Sequence, residues 1–181
     1  QSAYMALVET RLAAAGPACW MTSTEKWFTQ LGPQDGEQNV FPLLASGLGV
    51  EDFPLGFAPK PFSYFTATRD FFPIAGAHAA FAESRRIYGV LRAPEQVELH
   101  EYDDQHSWSK PRREATYRWL QKVLNNRPDD NGAEPEITVE AAAALNCTPT
   151  GQLATSIPGE NAFTANLALA ERLSRERRRL N

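Results

Sequence analysis

The sequence predicts an α/β fold in which a parallel sheet is covered by helices on both faces. Strand-like runs alternate with helical stretches along most of the chain, and strands joined through helices pair in parallel with right-handed crossovers. The chain has 181 residues, of which 43% are hydrophobic, so it can bury a substantial core. Only about three strands are evident, so we expect a further segment upstream to complete the sheet.

The first third of the chain predicts one helix, one strand and a long excursion. Residues 2–14 are rich in helix formers and end at Gly16-Pro17, which favours a helix followed by a turn. Residues 18–22 form an apolar run of strand length. Residues 24–61 contain scattered Gly, Pro, Asp and Gln, so we expect a long excursion with one or two short helices, of the kind that often covers a site.

The middle of the chain predicts a strand and a helix. Residues 62–68 are aromatic and β-prone, which indicates a strand. Residues 77–91 follow with helical periodicity. The apolar stripe of this helix is expected to contain Ala77, Phe81, Tyr88 and Leu91.

A further strand and helix come next. Residues 96–102 alternate between apolar and polar side chains, which predicts a strand near the sheet edge. Ser109 precedes Pro111, so we expect a helix that Ser109 caps and that has the proline in its first turn. Its buried face is expected to contain Ala115, Trp119, Leu120, Val123 and Leu124.

The sequence predicts that the C-terminal part of the chain is an extension of the main domain. Residues 125–135 form a polar linker, so we assign 1–127 to the main domain and 128–181 to the linker and extension. The extension is expected to end in a helix over residues 161–180. A solvated helix terminus, favoured by the helix dipole, accounts for its arginines. These are Arg172, Arg175, Arg177, Arg178 and Arg179.

Composition argues against several classes of partner. The formal net charge is -4, and such a chain has no electrostatic attraction for nucleic acid. No apolar run approaches the ~20 residues that span a bilayer, so no membrane contact is expected. Cys19 and Cys147 are too few for a disulfide framework or a zinc site, and Cys19 lies in an apolar run as an expected buried free thiol.

Asp70 and His106 are the candidate catalytic pair. Ligands and catalytic groups gather at the carboxyl ends of strands in open α/β sheets. Asp70 lies two residues beyond Thr68, and His106 lies shortly beyond Tyr102. Their separation of 36 residues (106 minus 70) fits one helix, one strand and turns. We therefore expect adjacent strand ends to bring the two side chains within hydrogen-bonding reach, as a carboxylic acid that orients a histidine base.

Other residues offer weaker alternatives. Glu37 lies in the long excursion and is a rival acid or a substrate contact. Trp108, with Trp20 and Trp27, either lines a sugar-binding surface or packs in the core.

The remaining titratable residues near the candidate pair favour structural roles. His78 at a helix start and His100 inside a strand are expected to be structural. Asp103 and Asp104 are expected to shape the turn that carries His106, because neighbours in sequence rarely face each other.

Longer stretches around these residues carry a resemblance to a known family. They are FTATRDFFPIAGA at 65–77, DDQHSWSKPRREA at 103–115, YRWL at 117–120, GPQDGEQN at 32–39 and CTPTGQ at 147–152. Together they resemble the acetyl xylan esterase-like branch of the α/β-hydrolases. The similarity covers nearly the whole chain, from Gln1 to about Asn166.

The resemblance implies the C-terminal half of an α/β-hydrolase that acts as a serine esterase on acylated plant-polysaccharide sugars. It makes Asp70 the acid and His106 the base, and it requires no metal or organic cofactor. The chain has no Gly-x-Ser-x-Gly turn, although the nucleophile of this fold precedes the acid and the base in the chain. The helix over residues 2–14 would then follow the nucleophile turn, so we expect the serine a handful of residues before Gln1, on an upstream segment or a separate chain. A secreted or periplasmic location follows from the resemblance alone.

Two alternatives remain open at this level. A peptidase of the prolyl-oligopeptidase type uses the same order of nucleophile, acid and base. A non-catalytic half could instead act as a subunit or binding module that completes a sheet supplied by another chain.

Overall fold

The structure is a computed structural model that describes residues 2–30, 38, 40 and 42–179. The chain divides into two compact units, residues 1–135 and 136–181. Residues 128–135, which the sequence assigns to the linker, lie in the first unit. There Glu134 accepts two hydrogen bonds of 2.6 Å from the Arg113 guanidinium.

The first unit contains five helices and two strands among the residues described. They are α1 (Ser2–Val8), α2 (Thr24–Gln30), α3 (Phe53–Phe57), β1 (Phe62–Ala67), α4 (Ile74–Val90), β2 (Val97–Tyr102) and α5 (Lys110–Asn125). Short 3-10 turns span Leu44–Ser46, Val50–Asp52 and Pro94–Gln96. The long excursion before β1 therefore carries two short helices, as expected.

The sheet is parallel, and β1 is its central strand. β1 pairs with β2 in register from Phe62 opposite Val97 to Ala67 opposite Tyr102. On the other side of β1, residues 15–19 make only isolated parallel bridges. The predicted strand over residues 18–22 was therefore wrong in position and regularity. The physical reason is Pro17, which has no N–H and so cannot donate to the ladder between the bridges of Ala15 and Ala18.

Helices cover both faces of β1, and every residue of this strand is buried. On one face, Phe62 and Tyr64 pack with residues of α4, and the Tyr64 hydroxyl lies 2.8 Å from the Ser84 hydroxyl. On the other face, Phe65 packs with Ala115 and Trp119 of α5. The predicted α/β class, a parallel sheet with helices on both faces, is confirmed.

The first helix is shorter than the sequence predicts. It ends at Val8 rather than at residue 14. The Glu9 carboxylate accepts a hydrogen bond of 2.8 Å from the Arg11 amide. The Lys60 ammonium donates to the carbonyl groups of Thr10 and Leu12 at 2.7 and 2.9 Å. These contacts, one local and two from Lys60, provide partners for backbone groups that a longer helix would have paired internally.

The longer helices agree with the predicted ones apart from details. Ala77 and Tyr88 of α4 are buried, whereas Leu91 is 47% exposed just beyond its end. In α5, Leu124 is 52% exposed rather than buried. Ser109 occupies the N-cap position of α5 with a proline in the first turn, as predicted, but its side chain makes no capping hydrogen bond. Leu91 and Leu124 both lie at the ends of their helices, outside the apolar stripe that faces the core.

The second unit contains two helices among its described residues. They are α6 (Leu153–Ser156) and α7 (Ala162–Arg178), preceded by a 3-10 turn at Ala142–Leu145. Asn161 caps α7 by accepting a 3.0 Å hydrogen bond from the Thr164 amide, and the last turn is basic as predicted. Within the described part of the chain, no helix has the length and apolar character needed to cross a membrane.

Candidate active site

The loops that follow β1 and β2 lie side by side at the carboxyl edge of the sheet. The Thr68 amide donates to the Tyr102 carbonyl at 2.9 Å, and the Arg69 amide donates to the Asp104 carbonyl at 2.9 Å. The Arg69 side chain also pairs with Asp103, with a distance of 2.8 Å from Nε to Oδ1. The parallel ladder thus continues into the loops and fixes their relative position.

The two loops bring Asp70 and His106 into direct contact. The distance from His106 Nδ1 to Asp70 Oδ1 is 3.0 Å. The same carboxylate oxygen accepts a 3.0 Å hydrogen bond from the Phe72 amide, which fixes the carboxylate in place. The Asp70 side chain is 2% exposed and the His106 side chain is 43% exposed. When Nδ1–H donates to the carboxylate, the lone pair that remains for proton transfer is on Nε2.

The rings of Phe71 and Phe72, in the loop that follows β1, pack against the His106 imidazole. The Phe71 ring stacks on it with centroids 4.1 Å apart at an interplanar angle of 29°. The Phe72 ring lies 5.8 Å from it. Stacking of this kind restricts rotation of the imidazole, and a ring face also attracts the positive charge of an imidazolium.

Cys19 is the third group of the cluster, and sequence analysis did not place it there. Ligand atoms of Cys19, Asp70 and His106 all lie within 4.8 Å of one another. Cys19 is a free thiol, 9% exposed, as expected for a buried unpaired cysteine. Its backbone is left-handed, with φ of 52°, and its thiol donates to the Ser107 carbonyl at 3.3 Å. Burial raises the pKa of the Cys19 thiol to about 11.

Arg112 supports the loop that carries His106, and sequence analysis missed it too. Its side chain is fully buried and donates to the Ser107 carbonyl and to Cys19 Sγ. It also reaches the Gln105 carbonyl at 3.4 Å and the Asp104 carboxylate at 3.3 Å. These carbonyl groups flank His106 in sequence, so one guanidinium holds the loop on both sides of the imidazole. One sequence signal could have identified Arg112. It lies one helical turn before Ala115, the first residue of the apolar face of α5, and so falls on the same side of the helix.

The other histidines and acids have separate partners. His78 Nε2 lies 2.6 Å from Glu101 Oε2, and the His100 ring stacks on Phe65 with centroids 5.0 Å apart. Asp104 Oδ1 accepts a 2.8 Å hydrogen bond from the Gln105 amide, as a residue that shapes a turn would do.

The tryptophans divide between core and surface. Trp27 is 3% exposed and packs edge-on against Trp20, with ring centroids 6.3 Å apart. Trp108 is 44% exposed, in the loop two residues beyond His106. Glu37, the rival acid, lies outside the residues that the structure describes.

An apolar cavity of about 210 Å³ adjoins the aromatic residues near this site. Its lining includes Trp27, Val40, Leu43, Leu44 and Val50. The Trp27 ring lies 5.8 Å from the Phe72 ring, and Phe72 in turn contacts His106. Two aromatic rings therefore connect the cavity to the imidazole.

Two solved structures resemble this chain. One is a carbohydrate esterase family 15 (CE15) glucuronoyl esterase from Caldicellulosiruptor kristjansonii, with a TM-score of 0.56 and 11% identity over 77% of this chain and 44% of that chain. The other is the methylesterase BT1017, with a TM-score of 0.58 and 21% identity over 79% of this chain and 32% of that chain. No protein-family model matches the sequence, and no curated protein matches it.

The chain therefore spans less than half the length of either solved structure. At these identities the likeness concerns the fold, and it agrees with the parallel sheet and the adjacent strand ends described above. The resemblance that the sequence suggested is confirmed at that level: the chain shares the fold of part of these two esterases.

Proposed function

We propose that Asp70 and His106 are the acid and the base of a Ser-Asp-His triad in a carboxylic ester hydrolase. The serine would come from a segment that precedes α1 or from another chain. The observation that carries this proposal is the 3.0 Å contact between His106 Nδ1 and Asp70 Oδ1 at the carboxyl ends of adjacent parallel strands. A buried carboxylate and a half-exposed imidazole have the arrangement that such a base requires.

The geometry supports a specific division of roles. The serine hydroxyl would attack the ester carbonyl while His106 Nε2 takes its proton, and Asp70 would hold the Nδ1 tautomer and stabilise the imidazolium. Upstream backbone amides would bind the oxyanion. The alcohol would leave with the proton from His106, and water would then repeat the sequence on the acyl-enzyme to release the acid.

The sheet supports a position upstream of α1 for the proposed nucleophile. Residues 15–19 pair with β1 on one side only among the described residues, and α1 lies directly upstream of them. An additional parallel strand followed by α1 would present a serine at the same carboxyl edge as Asp70 and His106.

The substrate that we propose is an acylated sugar or polysaccharide, with no nucleic acid or membrane partner. The sequence resemblance to acetyl xylan esterase-like proteins supports it, as do the names of the two solved structures, a glucuronoyl esterase and a methylesterase. The exposed Trp108 ring near His106 offers a surface on which a sugar could stack.

Removal of the base tests the proposal directly. In a protein that includes the upstream serine segment, His106→Gln is expected to lower turnover of p-nitrophenyl acetate about 10⁴-fold or more. Circular dichroism should show an unchanged fold. The matched control is His78→Gln, which removes the other histidine that contacts a carboxylate and should keep full activity. Undiminished turnover by the His106 variant would contradict the proposal.

Substrate class is tested separately on the unmodified protein. Acetylated xylo-oligosaccharides and p-nitrophenyl acetate should be cleaved, whereas aminoacyl anilides should not. Faster cleavage of the anilides would favour a peptidase of the prolyl-oligopeptidase type.

A further inference from the structure

We propose that Cys19, Asp70 and His106 form a binding site for a thiophilic divalent metal ion, with Zn²⁺ as the expected occupant. The three side chains offer a sulfur, a carboxylate oxygen and an imidazole nitrogen, all within 4.8 Å of one another. Zinc binds such ligands at about 2.0–2.3 Å, so ligand atoms around one ion lie about 3–4 Å apart.

An unsatisfied carboxylate oxygen independently points to a ligand at this position. The second oxygen of Asp70, Oδ2, is buried and has no hydrogen-bond partner among the described residues. The side chain is only 2% exposed, so solvent does not replace that partner. A buried carboxylate oxygen without a partner is energetically costly, because it has lost its hydrogen bonds to water and has none to the protein in their place.

The charges of the cluster suit a reversible site. Binding would release the Cys19 thiol proton to solvent, and the thiolate and the Asp70 carboxylate would then balance the two charges of the ion. The Arg112 guanidinium contacts Cys19 Sγ; it favours the thiolate but repels the cation, which limits affinity. Three protein ligands leave a fourth position for water, unlike the closed four-ligand sites that hold structural zinc.

The ion would compete with catalysis at this site. An imidazole nitrogen and the Asp70 carboxylate cannot coordinate a metal and act as base and acid at the same time, so the bound form would be inactive in ester cleavage. The site itself goes beyond the proposed function, because metal binding needs neither the serine nor any turnover.

Cobalt titration of the 181-residue chain tests the site. Co²⁺ serves as the spectroscopic probe, and a thiolate-to-cobalt charge-transfer band with visible d–d bands is expected at one equivalent, to be removed by added Zn²⁺. Cys19→Ser should abolish the charge-transfer band. His106→Gln changes a half-exposed side chain, so its fold should persist, and it should weaken Co²⁺ binding at least about 100-fold, by analogy with the losses seen when metal-site residues are removed.

Two control variants separate this site from other thiols and histidines. Cys147→Ser removes the chain's other thiol, which is exposed, and His78→Gln removes a histidine–carboxylate pair without a nearby cysteine. Both should bind Co²⁺ as the unmodified chain does. The absence of a thiolate band from the unmodified chain, or its loss in Cys147→Ser but not in Cys19→Ser, would overturn the proposal. Because binding is measured without turnover, its failure is distinguishable from failure of the esterase proposal.

Discussion

Asp70 uses one carboxylate oxygen for two hydrogen bonds, and this sets the orientation of His106. Oδ1 accepts from the Phe72 amide and from His106 Nδ1, each at 3.0 Å. The backbone bond fixes the carboxylate, and the carboxylate then fixes the tautomer of the imidazole. A neutral amide at this position could present its NH₂ group to Nδ1 and favour the wrong tautomer.

Asp70→Asn is therefore expected to lower kcat for ester cleavage about 10⁴-fold with little change in KM. Steady-state kinetics on the protein that includes the serine segment would measure the change. Asp103→Asn is a suitable control, because Asp103 pairs with the exposed Arg69 instead of with His106. Comparable kcat values for both variants would rule out Asp70 as the acid.

The chain's two thiols should differ in reactivity because burial raises the pKa of the Cys19 thiol to about 11, from an ordinary value of 9.0. Cys19 should stay protonated at pH 7 and react slowly with iodoacetamide, whereas the exposed Cys147 should react first. Alkylation of Cys19 should accelerate as the pH rises towards 11. Mass spectrometry of digests taken over time would show this order, and equal rates at pH 7 would contradict it.

The raised pKa of the Cys19 thiol also makes the folding stability depend on pH. Between pH 9 and 11 the unfolded chain loses the thiol proton while the folded chain retains it, so stability should fall as the pH rises through this window. Cys19→Ser should remove this part of the pH dependence.

Among the helices and strands, β1 is the element whose burial depends most on its neighbouring helices. Its residues are buried on both faces, by α4 on one side and by α5 on the other. The α5 side is the smaller cluster and consists mainly of Phe65, Ala115 and Trp119. Since α5 also carries Arg112, which holds the loop around His106, packing of this helix on the sheet positions the base.

Trp119→Ala should therefore destabilise the chain by about 3–5 kcal/mol, as expected for deletion of a large side chain from a core. Trp119 is 3% exposed, whereas Leu124 on the same helix is 52% exposed. Leu124→Ala should change stability by no more than about 0.5 kcal/mol. Urea unfolding of the two variants would measure both values, and similar losses would show that α5 does not pack as described.

At the scale of the whole molecule, one side of the sheet presents backbone groups that no described residue pairs. Residues 15–19 bond to β1 on one side only, and α1 exposes Met5, Leu7 and Val8. Unpaired strand edges next to apolar surface favour association with another chain.

We therefore expect the isolated 181 residues to self-associate, whereas a protein that also includes the serine segment proposed above should be monodisperse. Size-exclusion chromatography with light scattering would distinguish the two states. A compact, stable monomer of the isolated chain would instead indicate a self-contained module.

Local sequence patterns were enough to predict β1, β2, α4, α5 and α7, because periodicity and turn residues act over a few positions. The meeting of Asp70 with His106 was also predictable, since consecutive parallel strands end at the same edge of a sheet. The end of α1 was not predicted, and one partner of the backbone beyond it, Lys60, lies about 50 residues away in sequence.

The sequence by itself determined the α/β class, the order of β1, α4, β2 and α5, and the pairing of one acid with one histidine. Only the tertiary structure decided that Cys19 lies beside that pair and that Arg112 holds the loop. Cys19 is separated from Ser107 by 88 residues and from Arg112 by 93. Contacts at such separations leave no periodic trace in the sequence, because they arise only after the sheet has brought the ends of its strands together.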